Sequence, residues 1–193
     1  MNNRLIMMKK IFLLSILCNV PINAVQERAT MSIEKANGIQ EMISVWDTFF
    51  KTTTWQELAR PYAPIANGCG TIYALPANFL NRSNEDCAIV DMRNVKFTEP
   101  HYHHNIEVYF IMQGSGIVVL GNKEHVVSAG DIIFITPNTA HFTIPNNDLV
   151  MAVVNTPPYT PEDYFPLTAS NEDVYFDWKH FEKLAHNASE RGR

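Results

Sequence analysis

Residues 101 to 116 read HYHHNIEVYFIMQGSG, and no other stretch limits the possible folds of this chain so sharply. Side chains on a strand alternate between its two faces, so residues two apart point the same way. On a β framework His101 and His103 therefore present both imidazoles to one centre, and Glu107, of the same parity, adds a carboxylate. A second run, GDIIFITPNTAHFTIPN over residues 130 to 146, sends a buried-looking strand into a Pro-Asn turn and then to His141. Three imidazoles with one carboxylate suit a divalent transition metal. His104 has the opposite parity and is expected at a rim or between strands. His125, in the turn-like GNKEHVV, is expected at the solvent.

The rest of the chain supplies a β frame for these residues. From Gly68 the hydrophobic period is two, in the short runs CGTIYAL, CAIVDMRN, FTEPHYHH, IEVYFIM, GIVVLG, EHVVSAG, DIIFIT, HFTI and LVMAVVN. Eight or nine strands at this spacing predict an all-β sandwich or barrel. Gly114-Ser115-Gly116 and Gly121-Asn122-Lys123 are expected to turn hairpins. Residues 32 to 60 instead repeat near 3.6, through Ile33, Ala36, Ile39, Ile43, Trp46 and Phe50, and predict helix, with a second short one at Trp55–Ala59 ended by Pro61 and Pro64. After Asn155 the segment TPPYTPEDYFP predicts a proline-punctuated wrap, and VYFDWKHFEKLAHNASE a C-terminal helix with Trp178, Phe181 and Leu184/Ala185 as its buried stripe.

The order and spacing of the two histidine stretches resemble the paired motifs of the cupin superfamily. In the first, His101-x-His103 is followed by Glu107 and then by Gly114 at the family spacing, while Val95 stands where an entry glycine is usual. In the second, Gly130 leads to Thr136 at a position usually Pro, Asn138 stands where Gly is common, and His141 follows at the expected distance. Asn tolerates the left-handed conformation that such a turn needs. The resemblance spans residues 66 to 157 and implies a jelly-roll β-barrel (double-stranded β-helix) with helical extensions at both ends. It also implies a metal held by His101, His103, Glu107 and His141, with Fe, Mn, Ni, Cu or Zn all suitable, or a metal-free barrel that keeps these residues for hydrogen bonding.

The resulting division is 1–24 as a signal peptide, 25–65 as a helical N-terminal extension, 66–157 as the barrel, and 158–193 as the wrap and C-terminal helix. Arg4, Lys9 and Lys10 precede an apolar run, Ile11 to Leu17, that is too short to span a bilayer, and Pro21-Ile22-Asn23-Ala24 offers a cleavage point. Export to a periplasmic or extracellular space is the expectation, with no stable membrane span after cleavage. Three of the 15 basic residues and none of the 20 acidic ones lie in that segment. The remaining 12 against 20 give a net charge of −8 without any Lys/Arg cluster, which argues against nucleic-acid binding. Arg82 or Arg93 is a local candidate to clamp a carboxylate. Cys69 and Cys87 form an even pair, and in an oxidising compartment a disulfide between them would add about 3 kcal/mol; the alternative is two buried free thiols. Asn81-Arg82-Ser83 and Asn187-Ala188-Ser189 match the glycosylation acceptor pattern.

Four protein ligands on an octahedral ion leave two positions for a small molecule. The leading expectation is thus an exported metal-dependent enzyme acting on a small oxygenated substrate by dioxygenase, isomerase or lyase type chemistry. Tyr109 and Thr143 share the ligands' parity, and either orient substrate and tune the metal or pack the core. Glu99, before Pro100, is either a base at the barrel mouth or a solvated carboxylate. Two alternatives stand beside it: a non-catalytic barrel that binds a sugar or organic acid, and a metal-free sugar epimerase using a His base and a Tyr acid. Homodimerisation is expected from the resemblance alone.

Overall fold

In the computed structural model the described residues are 39–60, 65–67, 70–75, 84–146, 148–168 and 174–190. Among the described residues two helices, α1 (Ile39–Thr52) and α2 (Trp55–Ala59), precede eleven strands, and α3 (Trp178–Glu190) follows them. The predicted helical start at residues 32 to 38, the signal peptide, Cys69, Arg82 and Asn81 lie outside the described residues. Thr54 opens α2 with a capping box: its side chain accepts from the Glu57 N–H while the Glu57 carboxylate takes the Thr54 N–H, which satisfies two donors left over at a helix start.

The strands form two antiparallel sheets. One has six strands in the order β1 (Ile65–Asn67), β2 (Gly70–Ala74), β3 (Asp86–Asp91), β10 (Val150–Thr156), β5 (Ile106–Gln113) and β8 (Ile132–Ile135). The other has five, in the order β11 (Phe165–Pro166), β4 (His101–Tyr102), β9 (His141–Pro145), β6 (Ser115–Leu120) and β7 (Lys123–Ser128). This is the expected jelly-roll barrel. The interior takes one parity from each strand: Val90 and Met92 from β3 and its end, Tyr109 and Ile111 from β5, Val118 from β6, and Met151 and Val153 from β10 form one buried cluster.

The opposite parity faces helices. Ile89, Val108, Phe110, Ala152 and Val154 on the outside of the six-stranded sheet pack with Phe49, Phe50, Trp55 and Leu58 of α1 and α2. Val119, Phe142 and Ile144 on the outside of the other sheet pack with Phe181 and Leu184 of α3 and with Phe176. The C-terminal helix is thus amphipathic as predicted, with Leu184 as its buried centre.

Three sequence expectations change. Gly121 and Asn122 do turn the β6–β7 hairpin, where Leu120 faces Lys123. Gly114, however, makes no hairpin, because β5 and β6 belong to different sheets. It is the corner where the chain crosses between them, with φ +76° and a position where an added Cβ would lie 2.5 Å from the Asp148 carbonyl carbon. Only His101 and Tyr102 of FTEPHYHH pair as strand; the chain enters them through a turn in which the Val95 N–H donates to Met92 O at 3.0 Å, without the entry glycine. Finally, Cys87 is a free, buried thiol rather than half of a disulfide. Its parity puts it in the layer between sheet and α1/α2, where burial pushes the thiol pKa well up.

Candidate metal centre

Two cross-strand rows at one end of the barrel carry the ligands. In the five-stranded sheet His101 pairs directly with His141, and both are the first residues of their strands. In the six-stranded sheet Glu107, near the start of β5, sits between Asn155 of β10 and Ile135 of β8. His103 stands just beyond β4, and its carbonyl accepts the Asn138 N–H at 2.8 Å. Asn138 has φ +61°, the left-handed conformation expected where Gly is common. The β8–β9 turn that delivers His141 is therefore tied to the segment that delivers His103.

Each of the three imidazoles is held by a backbone carbonyl two residues away. His101 Nδ1 donates to Glu99 O at 2.8 Å, His103 Nδ1 to Asn105 O at 3.1 Å, and His141 Nδ1 to Thr139 O at 2.9 Å. A carbonyl only accepts, so Nδ1 carries a proton in each ring and Nε2 is the atom left to face the site. The rings converge: centroids of His101 and His141 are 4.2 Å apart, and those of His103 and His141 4.9 Å. One ligand nitrogen from each of the three lies within 4.8 Å of the others. Glu107 Oε2 is 3.3 Å from His103 Nε2 and 3.3 Å from His141 Nε2. The three histidines thus converge, Glu107 lies against two of them, and all four predicted ligands are buried.

The electrostatics fit a cation. Burial works to raise the Glu107 pKa, but His103 and His141 beside it hold the carboxyl well below the usual carboxylate range. His101 is pushed down to about 3 by burial and by His141, so it stays neutral with a lone pair to offer. Burial alone would lower His103 too, but its bond to Glu107 outweighs that and raises it. His141 Nε2 is fully buried with no hydrogen-bond partner. An orphaned buried nitrogen is costly unless something binds it, and three imidazole nitrogens with one carboxylate oxygen are a donor set for a divalent transition metal.

The remaining candidates are placed as follows. Tyr109 and Thr143 point inward as expected, one cross-strand step deeper than Glu107 and His141: Tyr109 is in the interior cluster, and Thr143 pairs with Val118. The Thr143 N–H donates to Thr98 Oγ1 at 2.8 Å. The Glu99 carboxylate is exposed and accepts the Tyr164 hydroxyl at 3.2 Å. His125 is exposed, on β7 rather than in a turn. His104 is exposed and faces Asp163, with Nδ1 2.6 Å from Oδ1. Arg93 is no free clamp: its guanidinium grips Asp91 at 2.6 Å and lies over the Trp55 ring. Sequence reasoning did not single out Asn155, Asp86, Asp163 or Tyr164. Asn155 extends the Glu107 row and donates to Asp86 Oδ1 at 2.9 Å, while the Tyr164 ring packs at a tilt of 31° against His101 with centroids 4.6 Å apart. An acidic, tyrosine-bearing loop 60 residues from the motif carries no sequence mark of where it lands.

Comparison with known proteins agrees with this architecture. Residues 84–177 match the model of the AraC-like ligand binding domain. An uncharacterised protein of Methanocaldococcus jannaschii is 36% identical over 78 residues, which cover 39% of this chain and 62% of that protein; the match thus spans about three-fifths of its length. Among solved structures, a protein from Planctomyces limnophilus has a TM-score of 0.49 at 15% identity, covering 55% of this chain and 91% of that one. KdgF from Halomonas sp. has 0.47 at 14% identity over 53% and 92% of the two chains. An RmlC-like cupin from Shewanella frigidimarina has 0.44 at 18% identity over 54% and 89%. The internal architecture accords with this likeness: a barrel of two antiparallel sheets in which the first histidine motif falls on β4 and β5, the second on β8 and β9, and His101, His103 and His141 converge at one end. This chain thus has an all-β, cupin-type jelly-roll fold, and its residues 84–177 are similar to the AraC-like ligand binding domain.

Proposed function

We propose that this protein is an exported metal-dependent cupin enzyme acting on a small oxygenated molecule. The observation that carries the reading is the shared tautomer: three carbonyls hold the converging rings of His101, His103 and His141 by Nδ1, and Nε2 of His103 and of His141 lies against Glu107. Ordinary core histidines have no reason to converge in this way. A divalent ion bound by these four residues would act as a Lewis acid and template for two adjacent oxygens of a substrate, or for substrate and O₂. The protein's own part is to aim the three imidazoles through their Nδ1 hydrogen bonds and to keep Glu107 ionised in a buried site. Tyr109 and Thr143, immediately deeper, bound the inner end of the substrate space. Oxygen insertion and isomerisation or elimination beside a carbonyl both fit such a site, and the fold does not choose between them.

A second reading, a non-catalytic barrel that binds a small sugar or organic acid, has one observation in its favour: the match to a ligand-binding domain over residues 84–177. The two separate in one experiment. A panel of hydroxylated and carboxylated small molecules is screened for binding and for turnover with metal-loaded wild type and with Glu107→Gln. Metal-dependent turnover lost in the variant supports the enzyme. Unchanged ligand affinity in the metal-free variant, with no turnover in either protein, overturns it.

A further inference from the structure

The wrap after β10 lies across the ligand-bearing segment, and two of its adjacent residues reach the two loop positions that orient the first pair of histidines. Asp163 closes a single 3-10 turn, Pro161–Asp163. Its Oδ1 accepts the His104 N–H at 3.0 Å and its Oδ2 the Asn105 N–H at 3.2 Å. Asn105 is the residue whose carbonyl holds His103 Nδ1. Tyr164, the next residue, donates its hydroxyl to the Glu99 carboxylate at 3.2 Å and lays its ring on His101. Glu99 is the residue whose carbonyl holds His101 Nδ1. Immediately after, β11 pairs with β4, Phe165 opposite Tyr102 and Pro166 opposite His101. The Phe165 ring stacks on Tyr102 with 5.0 Å between centroids, and the Leu167 N–H donates to Pro100 O at 2.9 Å.

A two-residue strand such as β4 has little pairing of its own: on its other side, among the described residues, the one register pair is His141 opposite His101. Its aim therefore depends on what lies on its outer edge. We propose that the strap from Thr160 to Leu167 is the positioning element of the metal centre, with Asp163 setting His103 through Asn105 and Tyr164 setting His101 directly and through Glu99. Neither residue would touch the ion or the substrate to do this. The inference rests on the metal reading above, but it makes a claim about ring orientation that is measurable without any metal. His141 is the internal reference, because its ring is held by Thr139 O, which the strap does not contact in the bonds described.

The test compares Asp163→Ala and Tyr164→Ala with wild type and with Glu162→Ala, an exposed neighbour in the same strap. Two quantities are read: side-chain ¹⁵N shifts of the three histidines in the metal-free protein, and the dissociation constant and visible absorption spectrum of the Co²⁺ complex. Asp163→Ala is expected to shift the His103 ring signals and Tyr164→Ala those of His101, each leaving His141 in place. Each should weaken Co²⁺ binding about tenfold or more and alter its spectrum, as loss of an outer support does at metal sites. Tyr164→Phe, which keeps the ring, and Asp163→Asn, which keeps one acceptor oxygen, should restore part of the effect; they also stand in if the alanine variants do not fold. Glu162→Ala should match wild type. If wild type takes up no Co²⁺, the metal reading fails, and the ¹⁵N shifts alone decide the strap. Folded strap variants with wild-type ring shifts, or with wild-type spectra and Co²⁺ affinity within about twofold of wild type, would overturn the proposal.

Discussion

Replacing Asn138 isolates the backbone term in the turn that delivers His141. Asn138 holds φ +61°; its side chain is exposed, and its N–H, which donates to His103 O at 2.8 Å, survives in any residue but proline. Substitution therefore changes almost nothing except the cost of the left-handed conformation. For an ordinary L-residue that cost is about 1–2 kcal/mol, and Asn and Gly largely avoid it. Asn138→Val should lose about 1–2 kcal/mol, a fall in Tm of about 2–8 °C for a chain of this size. Asn138→Gly removes the strain but adds unfolded-state entropy of up to about 1 kcal/mol, so it should lie between wild type and Asn138→Val. Thermal and urea unfolding of the metal-free protein measure both. The turn is otherwise pinned by the Thr139 N–H on Thr136 O at 3.2 Å and by the contact between the two threonine hydroxyls at 2.9 Å, so the chain cannot simply relax to negative φ. Wild-type stability in Asn138→Val, or a larger loss in Asn138→Gly than in Asn138→Val, would refute the reasoning.

Phe142→Ala should be far more costly, about 3–5 kcal/mol, because Phe142 is 1% exposed and meets Phe181 and Phe176 with ring centroids 5.0 and 5.9 Å away; urea unfolding checks the magnitude, and protease cleavage within α3 should accelerate. Asp91→Asn should flatten the acid limb of stability. Burial works to raise the Asp91 pKa, but the Arg93 hydrogen bonds and charge hold it below the usual value. A depressed carboxylate adds stability above its unfolded pKa of about 3.9 and loses it as pH falls through the folded value. The gap between wild type and variant should therefore be widest at neutral pH and close below about pH 4, as read by denaturant midpoints across pH; a gap that widens in acid would contradict the assignment.

The parts of this fold visible in the sequence are those set by local period. Alternation put His101, His103, Glu107, Tyr109 and Thr143 on one face; in the structure the histidines converge with His141, Glu107 lies against His103 and His141, Tyr109 lies in the interior cluster, and Thr143 pairs with Val118 of that cluster. The same parity explains Phe142 and Ile144 on the outside, where a second apolar layer meets Leu184 of α3. What failed depended on pairing at long range. Gly114 reads as a hairpin glycine until it is known that β5 joins β10 and β6 joins β9. Cys87 reads as a disulfide partner until its face of β3 is seen to lie under α1 and α2. The strap was legible as a proline-punctuated wrap, yet nothing in its residues told that Asp163 would meet the N–H groups of His104 and Asn105.

The central claim is that His101, His103, Glu107 and His141 form one metal-binding unit. Elemental analysis of protein purified without chelator or affinity-tag histidines, alongside a His101→Ala/His103→Ala variant, tests it most directly. The account predicts close to one equivalent of Fe, Mn, Ni, Cu or Zn in wild type and its loss in a variant that remains folded. Absence of any divalent metal from wild type after reconstitution, or equal metal in both proteins, would contradict it.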